Sequence, residues 1–382
     1  MKTSRRSAVD AFIVMDVVQA AQEAEAAGRH IIHMEVGQPG SGASASAQAA
    51  LTDVLATQSL GYTVALGLPA LREGIAQLYS DWYGITLDPQ RVIVTAGSSG
   101  AFLLAFTALF DAGARVGLSE PGYPSYRQIL KALDLVPVGV PTHDAAGHRM
   151  TPDDLPSDLD GLIVASPANP TGTILDKDAM AALITACADR DAAFISDEIY
   201  HGLHFDTPAT SALEISDDVY VINSFSKYFS MTGWRIGWMV VPPEHVRTVE
   251  RLAQNMFICA SHAAQVAALG ALSCRAEPEE KRSAYAESRA LLLEGLPKAG
   301  FARIAPPDGA FYIYADVSHL TDDSRALAAD MLEHAGVAVT PGLDFDPVRG
   351  HHTLRFSYAA DPDDIREGLA RITKFMQART DT

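Results

Sequence analysis

The sequence predicts an α/β fold in which a mostly parallel β-sheet is covered by helices on both faces. Short apolar segments alternate with helical patterns through the middle of the chain, between residues 92 and 222. The segments are nearly all apolar, as expected of strands that are buried on both faces. Because helical patterns separate the segments, the strands are predicted to be parallel and joined by crossover helices.

The individual elements follow from the spacing of the apolar residues. The segment 162–165 is typical of a buried strand, and the helical segment 176–190 after it is long enough for a crossover. The apolar segment 193–196 is then predicted to be the next strand. The predicted strands are 92–95, 115–119, 162–165, 193–196 and 219–222, and the predicted helices are 98–110, 126–133 and 176–190.

The two ends of the chain combine long helices with short strands, which is typical of an α+β domain. With 382 residues, the chain is also longer than one hydrophobic core usually supports. We therefore predict a large α/β domain of residues 46–275 and a smaller α+β domain built from residues 1–45 and 276–382. The elements predicted in the smaller domain are helices at 16–27, 278–296 and 361–377 and strands at 31–36, 311–314 and 353–358.

Charge and cysteine content argue against several classes of protein. The net charge of −18 argues against nucleic acid or an anionic membrane as a main partner. The three cysteines have neither CxxC nor zinc-type spacing, so we expect no metal site and no disulfide framework. The basic N-terminus is followed by a stretch that Asp10 and Asp16 interrupt, so we expect no signal peptide, and no apolar run has the length of a membrane span. The expected location is the cytoplasm.

Small and hydroxyl residues follow the first predicted strand, in the segment 95–100. Such residues let backbone N–H groups approach an anion, and the start of the next helix adds positive potential. Ser98 and Ser99 are therefore candidates for binding a phosphate. A capped helix start explains either serine equally well.

Polar residues also follow two later strands. Asn169 lies in a proline-rich turn directly after one strand, where Pro170 and Gly172 are explained by turn geometry. Asp197 ends the next buried strand and is followed by Tyr200. A buried carboxylate costs several kcal/mol unless it is paired, so Asp197 is predicted to have a cationic partner.

Lys227 lies among Ser224, Ser226 and Tyr228, with Arg235 shortly after it. A lysine in such a setting can have a lowered pKa and act as a nucleophile that forms Schiff bases. Arg235 has the planar fork of donors that suits a phosphate. Taken alone, Lys227 is better explained as an ordinary surface lysine, because most lysines are exposed.

Together, these segments resemble the class I/II aminotransferases that depend on pyridoxal 5'-phosphate (PLP), which have fold type I of the aspartate aminotransferase superfamily. The matching patterns are Asn-Pro-x-Gly from Asn169, Asp-x-x-Tyr from Asp197, Ser-x-Ser-Lys ending at Lys227 and Gly-x-Arg-x-Gly around Arg235. Segments 37–39, 61–72 and 354–357 extend the resemblance over residues 30–378. It implies a large domain with a mostly parallel seven-stranded sheet and a smaller α+β domain.

The resemblance also implies a role for each candidate residue. Lys227 would carry PLP and transfer protons, Asp197 would bind the pyridine nitrogen, and Asn169 and Tyr200 would bind the phenolic oxygen, with Lys227, Asp197 and Tyr200 as the catalytic set. Arg355 would bind the substrate carboxylate, with Gly37 and Asn169 beside it. The ring would stack on Tyr123, for which Tyr126 is the competing assignment. The phosphate would be bound by Ser98, Ser99, Ser224, Ser226 and Arg235, and by Tyr62 of a neighbouring subunit in a homodimer with shared active sites.

The substrates implied are an L-amino acid and a 2-oxo acid. Two features of the sequence bear on which amino acid is the preferred donor. Some aspartate-specific relatives carry a lysine in the phosphate loop, which reads Gly97-Ser98-Ser99-Gly100 here. The apolar segment 11–15 would cover the substrate. We therefore expect a neutral or aromatic donor, with aspartate possible and 2-oxoglutarate or pyruvate as acceptor.

Three other classes of protein share part of this pattern with an aminotransferase. A PLP-dependent C–S lyase or related eliminating enzyme would share every cofactor residue and stays the alternative. A Rossmann dehydrogenase is disfavoured because no G-x-G-x-x-G follows the first strand. A regulator built on this fold would carry an added DNA-binding domain, for which the short N-terminal segment is not expected to leave room.

Overall fold

A seven-stranded sheet forms the centre of the molecule in the computed structural model, which describes residues 1–380. Twelve strands form two sheets, and eleven α-helices cover them within the described residues. The strands are β1 Ile32–Met34, β2 Val92–Thr95, β3 Arg115–Glu120, β4 Val136–Pro141, β5 Gly161–Ala165, β6 Ala193–Asp197, β7 Tyr220–Ser224, β8 Gly237–Val240, β9 Arg303–Ile304, β10 Tyr312–Asp316, β11 Val337–Pro341 and β12 Thr353–Ser357. The helices are α1 Ile13–Ala26, α2 Ala45–Thr57, α3 Pro69–Tyr83, α4 Gly97–Leu109, α5 Pro124–Ala132, α6 Lys177–Ala188, α7 Val246–Met256, α8 His262–Leu272, α9 Ala276–Lys298, α10 Ser324–Asp330 and α11 Pro362–Thr380.

The strand order of the large sheet is β2-β8-β7-β6-β5-β3-β4. The strands from β7 to β4 in this order run parallel to one another, and β8 is antiparallel to both of its neighbours. The predicted α/β class and the mostly parallel seven-stranded sheet are therefore confirmed.

Alternate residues of the central strands pack on opposite faces of the large sheet, as the pleat requires. Ile163 and Ile195 lie in one buried cluster with Phe106 of α4. Leu162 lies in another cluster with Leu183 of α6. Because both faces are covered, the strands are apolar at nearly every position, which explains why the sequence pattern identified them.

The second sheet has the order β1-β11-β12-β10-β9. Strand β1, from the N-terminal part of the chain, pairs in parallel with β11, and the other pairs in this sheet are antiparallel. Both ends of the chain thus contribute to one sheet, while the exact domain bounds at residues 46 and 275 stay a prediction. No helix within residues 1–380 is long and apolar enough to cross a membrane.

The topology of the large sheet brings its polar loops to one edge. Parallel strands β2, β5, β6 and β7 end at the same edge, and the loops that follow them meet there. The antiparallel strand β8 begins at that edge, so Arg235, which precedes it, joins the same group of residues.

Candidate active site

A cavity of about 180 Å³ lies at this edge of the large sheet and is closed by residues of the second sheet. Lys227 lines it, and Val14 and Met15 of α1 form part of the wall. The residues that line it are Phe12, Val14, Met15, Val36, Gly37, Ser98, Ser99, Phe102, Tyr123, Asn169, Asp197, Ile199, Tyr200, Ser226, Lys227, Thr232, Arg235, Tyr312 and Arg355.

The amine of Lys227 is the nucleophile that this cavity offers. Its Nζ donates a hydrogen bond to the carbonyl of Gly37 at 2.6 Å and lies 5.5 Å from the ring centroid of Tyr200. Burial, helped by the nearby charges of Arg355 and Arg235, lowers the pKa of Lys227 to about 7, and the charge of Asp197 opposes that shift. A substantial fraction of the amine is therefore neutral at physiological pH, as nucleophilic attack and proton abstraction require.

Asp197 is a buried carboxylate at the end of β6. The hydroxyl of Tyr126 donates to its Oδ2, and the backbone N–H of Ile199 donates to Oδ1 at 3.1 Å. Burial raises the pKa of Asp197 to about 6, while the two hydrogen bonds and the charge of Lys227 oppose the rise. The donors to Asp197 within the described chain are neutral, so the carboxylate is suited to a cationic group of a ligand.

Arg355, on β12, is held with its guanidinium plane fixed. Nη1 donates to Asn169 Oδ1 at 2.9 Å, and Nη2 donates to the carbonyl of Glu35 at 2.5 Å. The rings of Tyr312 and Phe345 lie 4.3 and 4.7 Å from its central carbon. Its Nε has no hydrogen-bond partner among the described residues. A fixed guanidinium facing the cavity is the usual means of orienting a carboxylate.

Tyr200 lies beside Lys227, and Asn169 accepts a hydrogen bond from Arg355. The hydroxyls of Tyr200 and Tyr312 are 2.7 Å apart and share a hydrogen bond. Burial is the main cause that raises the pKa of Tyr200 well above its ordinary value, so its hydroxyl keeps its proton as a hydrogen-bond donor.

The loop from β2 to α4 forms a cradle for an anion. Gly97 has a φ of +71°, and a Cβ atom there would overlap the guanidinium of Arg235. Ser98 and Ser99, in the first turn of α4, line the cavity together with Ser226 and Arg235. Glycine is thus required at this turn, and the arginine can approach the helix N-terminus, where an anion is favoured.

The structure brings most of the predicted site residues together, with two exceptions. Ser224 is buried behind Ser226, to which its hydroxyl donates at 2.8 Å, and it does not line the cavity. The side chain of Tyr62 is 82% exposed and lies outside the cavity of its own chain. Of the competing tyrosines, Tyr123 lines the cavity whereas Tyr126 lies beneath it against Asp197. The roles of these residues stay predictions.

Sequence reasoning missed several residues that position the site. Tyr312 and Phe345 flank Arg355, and the carbonyl of Glu35 accepts from it. The hydroxyl of Thr340 lies 3.4 Å from the same guanidinium. All four belong to the second sheet or the loops beside it, where the sequence pattern carried no chemical signal.

The residues present fit PLP. The cradle at Gly97 suits its phosphate, the Asp197 carboxylate suits a protonated pyridine nitrogen, and the amine of Lys227 is available for its aldehyde. Residues 1–380 contain no group of three or more His, Cys, Asp or Glu side chains placed to hold a metal ion. Fold and site together define a PLP-dependent enzyme of fold type I.

Comparisons with known proteins agree with this class. Residues 29–372 match the family described as aminotransferase class I and II. The chain is 44% identical to the valine–pyruvate aminotransferase of Mycobacterium tuberculosis over 99% of each sequence. A crystal structure of a protein assigned as an aminotransferase from Silicibacter pomeroyi is 65% identical, with a TM-score of 0.95 over 99% of this chain and 100% of that one. The aspartate aminotransferase of Thermus thermophilus with maleate is 31% identical, with a TM-score of 0.92 over 98% of this chain and 100% of that one. The chain therefore belongs to the class I and II aminotransferases.

Proposed function

We propose that this aminotransferase moves the amino group of a neutral L-amino acid to a 2-oxo acid, with pyruvate or 2-oxoglutarate as acceptor. The observation that carries the proposal is the position of the Lys227 amine, whose pKa is lowered to about 7, in a cavity that also contains the fixed guanidinium of Arg355. An amine that can exchange protons and a carboxylate clamp are the two requirements for handling an amino acid at its α-carbon.

Each residue has one task in this proposal. PLP, when bound, supplies the electron sink that makes the substrate's α-hydrogen acidic. Asp197 would hold the pyridine nitrogen protonated, and Asn169 and Tyr200 would donate hydrogen bonds to the phenolic oxygen. Lys227 would take the proton from the substrate α-carbon and act as its carrier. Arg355 binds the substrate carboxylate and holds the α-carbon within reach of Lys227.

The remaining predicted residues anchor the cofactor. Tyr123 would cover the ring, and Ser98, Ser99, Ser226 and Arg235 would bind the phosphate through the cradle at the start of α4. Ser224 supports Ser226 by the hydrogen bond between their hydroxyls. Tyr62 would contact the phosphate bound by the partner subunit in a homodimer.

The wall of the cavity supports a neutral donor. Phe12, Val14 and Tyr123 supply apolar surface on the substrate side. Of the described residues that line the cavity, the lysine and arginines are Lys227, Arg235 and Arg355, and each has a task already. The carboxylate of an aspartate side chain therefore has no counter-ion among the described residues that line the cavity, and one from the partner subunit would be needed. The name of the 44% identical relative, valine–pyruvate aminotransferase, also supports a neutral donor.

The test is the absorbance spectrum of the PLP-loaded protein, recorded after addition of alanine, valine, phenylalanine or aspartate. A visible band that bleaches with valine and returns with pyruvate is expected. A band that stays while pyruvate and ammonia are released from an amino acid with a Cβ–S bond would support the C–S lyase instead. The variant Lys227→Ala should lose turnover by more than about a thousandfold, because both the covalent anchor and the proton carrier are removed.

A matched control for that variant is Lys177→Ala. Lys177 lies on the surface of α6, where it forms an exposed ion pair with Glu214. Its replacement should leave the reaction unchanged. Substantial turnover by Lys227→Ala, or an equal loss in both variants, would remove Lys227 from the proposed role.

A further inference from the structure

We infer that Asp344 is a positioning residue that fixes the start of α1 over the cavity, so that Phe12 and Val14 form a wall selecting donors with larger apolar side chains. This inference rests on the proposed function, because it names the substrate class of the same site. It concerns a residue that does not itself line the cavity.

Asp344 caps the first turn of α1 from a distant part of the chain. Its Oδ1 accepts the N–H of Ile13 at 3.1 Å, and its Oδ2 accepts the N–H of Val14 at 3.0 Å. The first amides of a helix have no partner within the helix. Phe12, at the N-cap position, has no side chain that could satisfy them. The cap therefore comes from Asp344, which is 6% exposed and lies 330 residues from Val14 in sequence.

The capped turn carries the residues that face the substrate. Phe12 and Val14 line the cavity, and Val14 is buried against Phe345. The ring of Phe12 meets the edge of the Tyr123 ring at a centroid distance of 6.2 Å. An apolar wall thus extends from α1 to the residue predicted to cover the cofactor ring.

The same loop links this wall to the carboxylate clamp. Phe345 follows Asp344 directly, and its ring lies 4.7 Å from the guanidinium carbon of Arg355. One short segment therefore sets both the position of α1 and one side of the clamp. A substrate whose carboxylate is bound by Arg355 has its side chain at a fixed distance from Phe12 and Val14. Contact with Phe12 and Val14 therefore stabilises the binding of a substrate with a branched apolar side chain strongly and that of a substrate with a methyl side chain only slightly.

The experiment compares Asp344→Ala with the wild-type PLP enzyme, by two measurements. The first is amide hydrogen exchange at residues 13 and 14. The second is the ratio of kcat/KM for valine to that for alanine. Asp176→Ala is the matched control, because Asp176 caps α6 by accepting from Ala179 N–H at 2.8 Å and does not line the cavity. Asp344→Asn keeps one acceptor for the two amides, so its effects should be intermediate.

In Asp344→Ala, we expect faster exchange at residues 13 and 14 and a valine-to-alanine ratio lower by up to about sixteenfold. Valine has two more carbons than alanine, and each buried carbon contributes a factor of about four. The kcat for alanine should change little, because Asp344 touches neither the reacting atoms nor Lys227. The control variant should preserve the ratio and the exchange rates at residues 13 and 14.

Two results would overturn the inference. The first is unchanged exchange at residues 13 and 14, which would show that Asp344 does not hold α1. The second is an equal loss for valine and alanine, which would mean a general structural role. If the wild-type enzyme reacts with no donor, the proposed function fails with the selectivity claim, and the exchange measurement still decides whether Asp344 holds α1.

Discussion

Burial and hydrogen bonding act in opposite directions on the Asp197 carboxyl group, and Tyr126 is the side chain that sets the balance. Burial raises the pKa of Asp197 to about 6, and the hydrogen bond from Tyr126 is the first of the contributions that lower it. The carboxylate must be ionised to hold a protonated pyridine nitrogen. Cofactor binding should therefore weaken as the pH falls through this pKa.

Replacing Tyr126 by phenylalanine should raise the pH at which PLP affinity is lost. The variant lacks the hydroxyl that stabilises the charged form of Asp197, so the pKa of Asp197 rises further, by about one unit. The measurement is the dissociation constant for PLP across the pH range around the pKa of Asp197. Tyr314→Phe is the control, because Tyr314 is a buried tyrosine whose hydroxyl lies 2.7 Å from that of Thr353, outside the cavity. Identical pH profiles for both variants would mean that Tyr126 does not tune Asp197.

At the scale of single elements, the turn from β2 into α4 depends on one glycine. Gly97 adopts a left-handed conformation, with a φ of +71°, and leaves the space that the Arg235 guanidinium occupies. A side chain at this position would be strained and would also displace the arginine. The turn therefore places the start of α4 beside the guanidinium of Arg235, which lies in the loop before β8.

The variant Gly97→Ala should lose PLP affinity by about tenfold to a hundredfold, which is the loss expected when a charged hydrogen bond is broken. Gly113→Ala is the matched control, since Gly113 has a φ of +87° and open space where a Cβ would lie. Both variants should lose about 1 kcal/mol of stability from the left-handed backbone. Thermal unfolding measures the loss of stability that the two variants share, and PLP titration measures the difference between their affinities for PLP. Equal PLP affinity in the two variants would contradict the proposed cradle.

In the large sheet, the sequence predicted β2, β3, β5, β6 and β7, whose residues are mostly buried. Strands β2, β5 and β6 were located to within one residue, because each is a continuous apolar run between polar ends. Strand β4 was missed. Its sequence contains two prolines and a glycine, and it tolerates them because it lies at the edge of the sheet. Strand β8 was also missed, because its four residues adjoin a motif that was interpreted for its chemistry alone.

The site divides in the same way between predictable and unpredictable residues. Lys227, Asp197 and Asn169 follow buried strands, so their meeting at one edge could be inferred from the sequence. The contact between Tyr200 and Tyr312 spans 112 residues, and that between Val14 and Asp344 spans 330. Local sequence carries no signal for such pairs, since they depend on how the two sheets are placed around the cavity.

At the scale of the whole molecule, the segment that carries Tyr62 exposes large apolar side chains to solvent in the single chain. Tyr62 and Val64 are 82% and 58% exposed, and Ile258 is 51% exposed. The carbonyl of Gly61 accepts a hydrogen bond from the ring of His262 at 3.0 Å, which ties this segment to the start of α8. Large exposed apolar side chains are typical of an interface, which supports the proposed homodimer.

The dimer with shared sites predicts a specific pattern of activity in mixed dimers. A dimer that pairs a Lys227→Ala chain with a Tyr62→Ala chain has one complete site, because the chain that keeps Lys227 faces a partner that keeps Tyr62. A dimer that pairs a wild-type chain with a chain carrying both substitutions has none. The two mixed dimers contain the same substitutions, so they differ only in which chain carries them.

The two mixed dimers are made by producing differently tagged chains together and purifying the dimers that carry both tags. Activity is measured at a PLP concentration that saturates the wild-type enzyme but not the Tyr62→Ala variant. The first mixed dimer should have roughly half of the wild-type activity, since one of its two sites is complete. The second should be no more active than Tyr62→Ala alone. If Tyr62 acted within its own chain, the order would be reversed, because the wild-type chain would then carry a complete site by itself. The sign of the difference therefore decides whether the active site is shared between subunits.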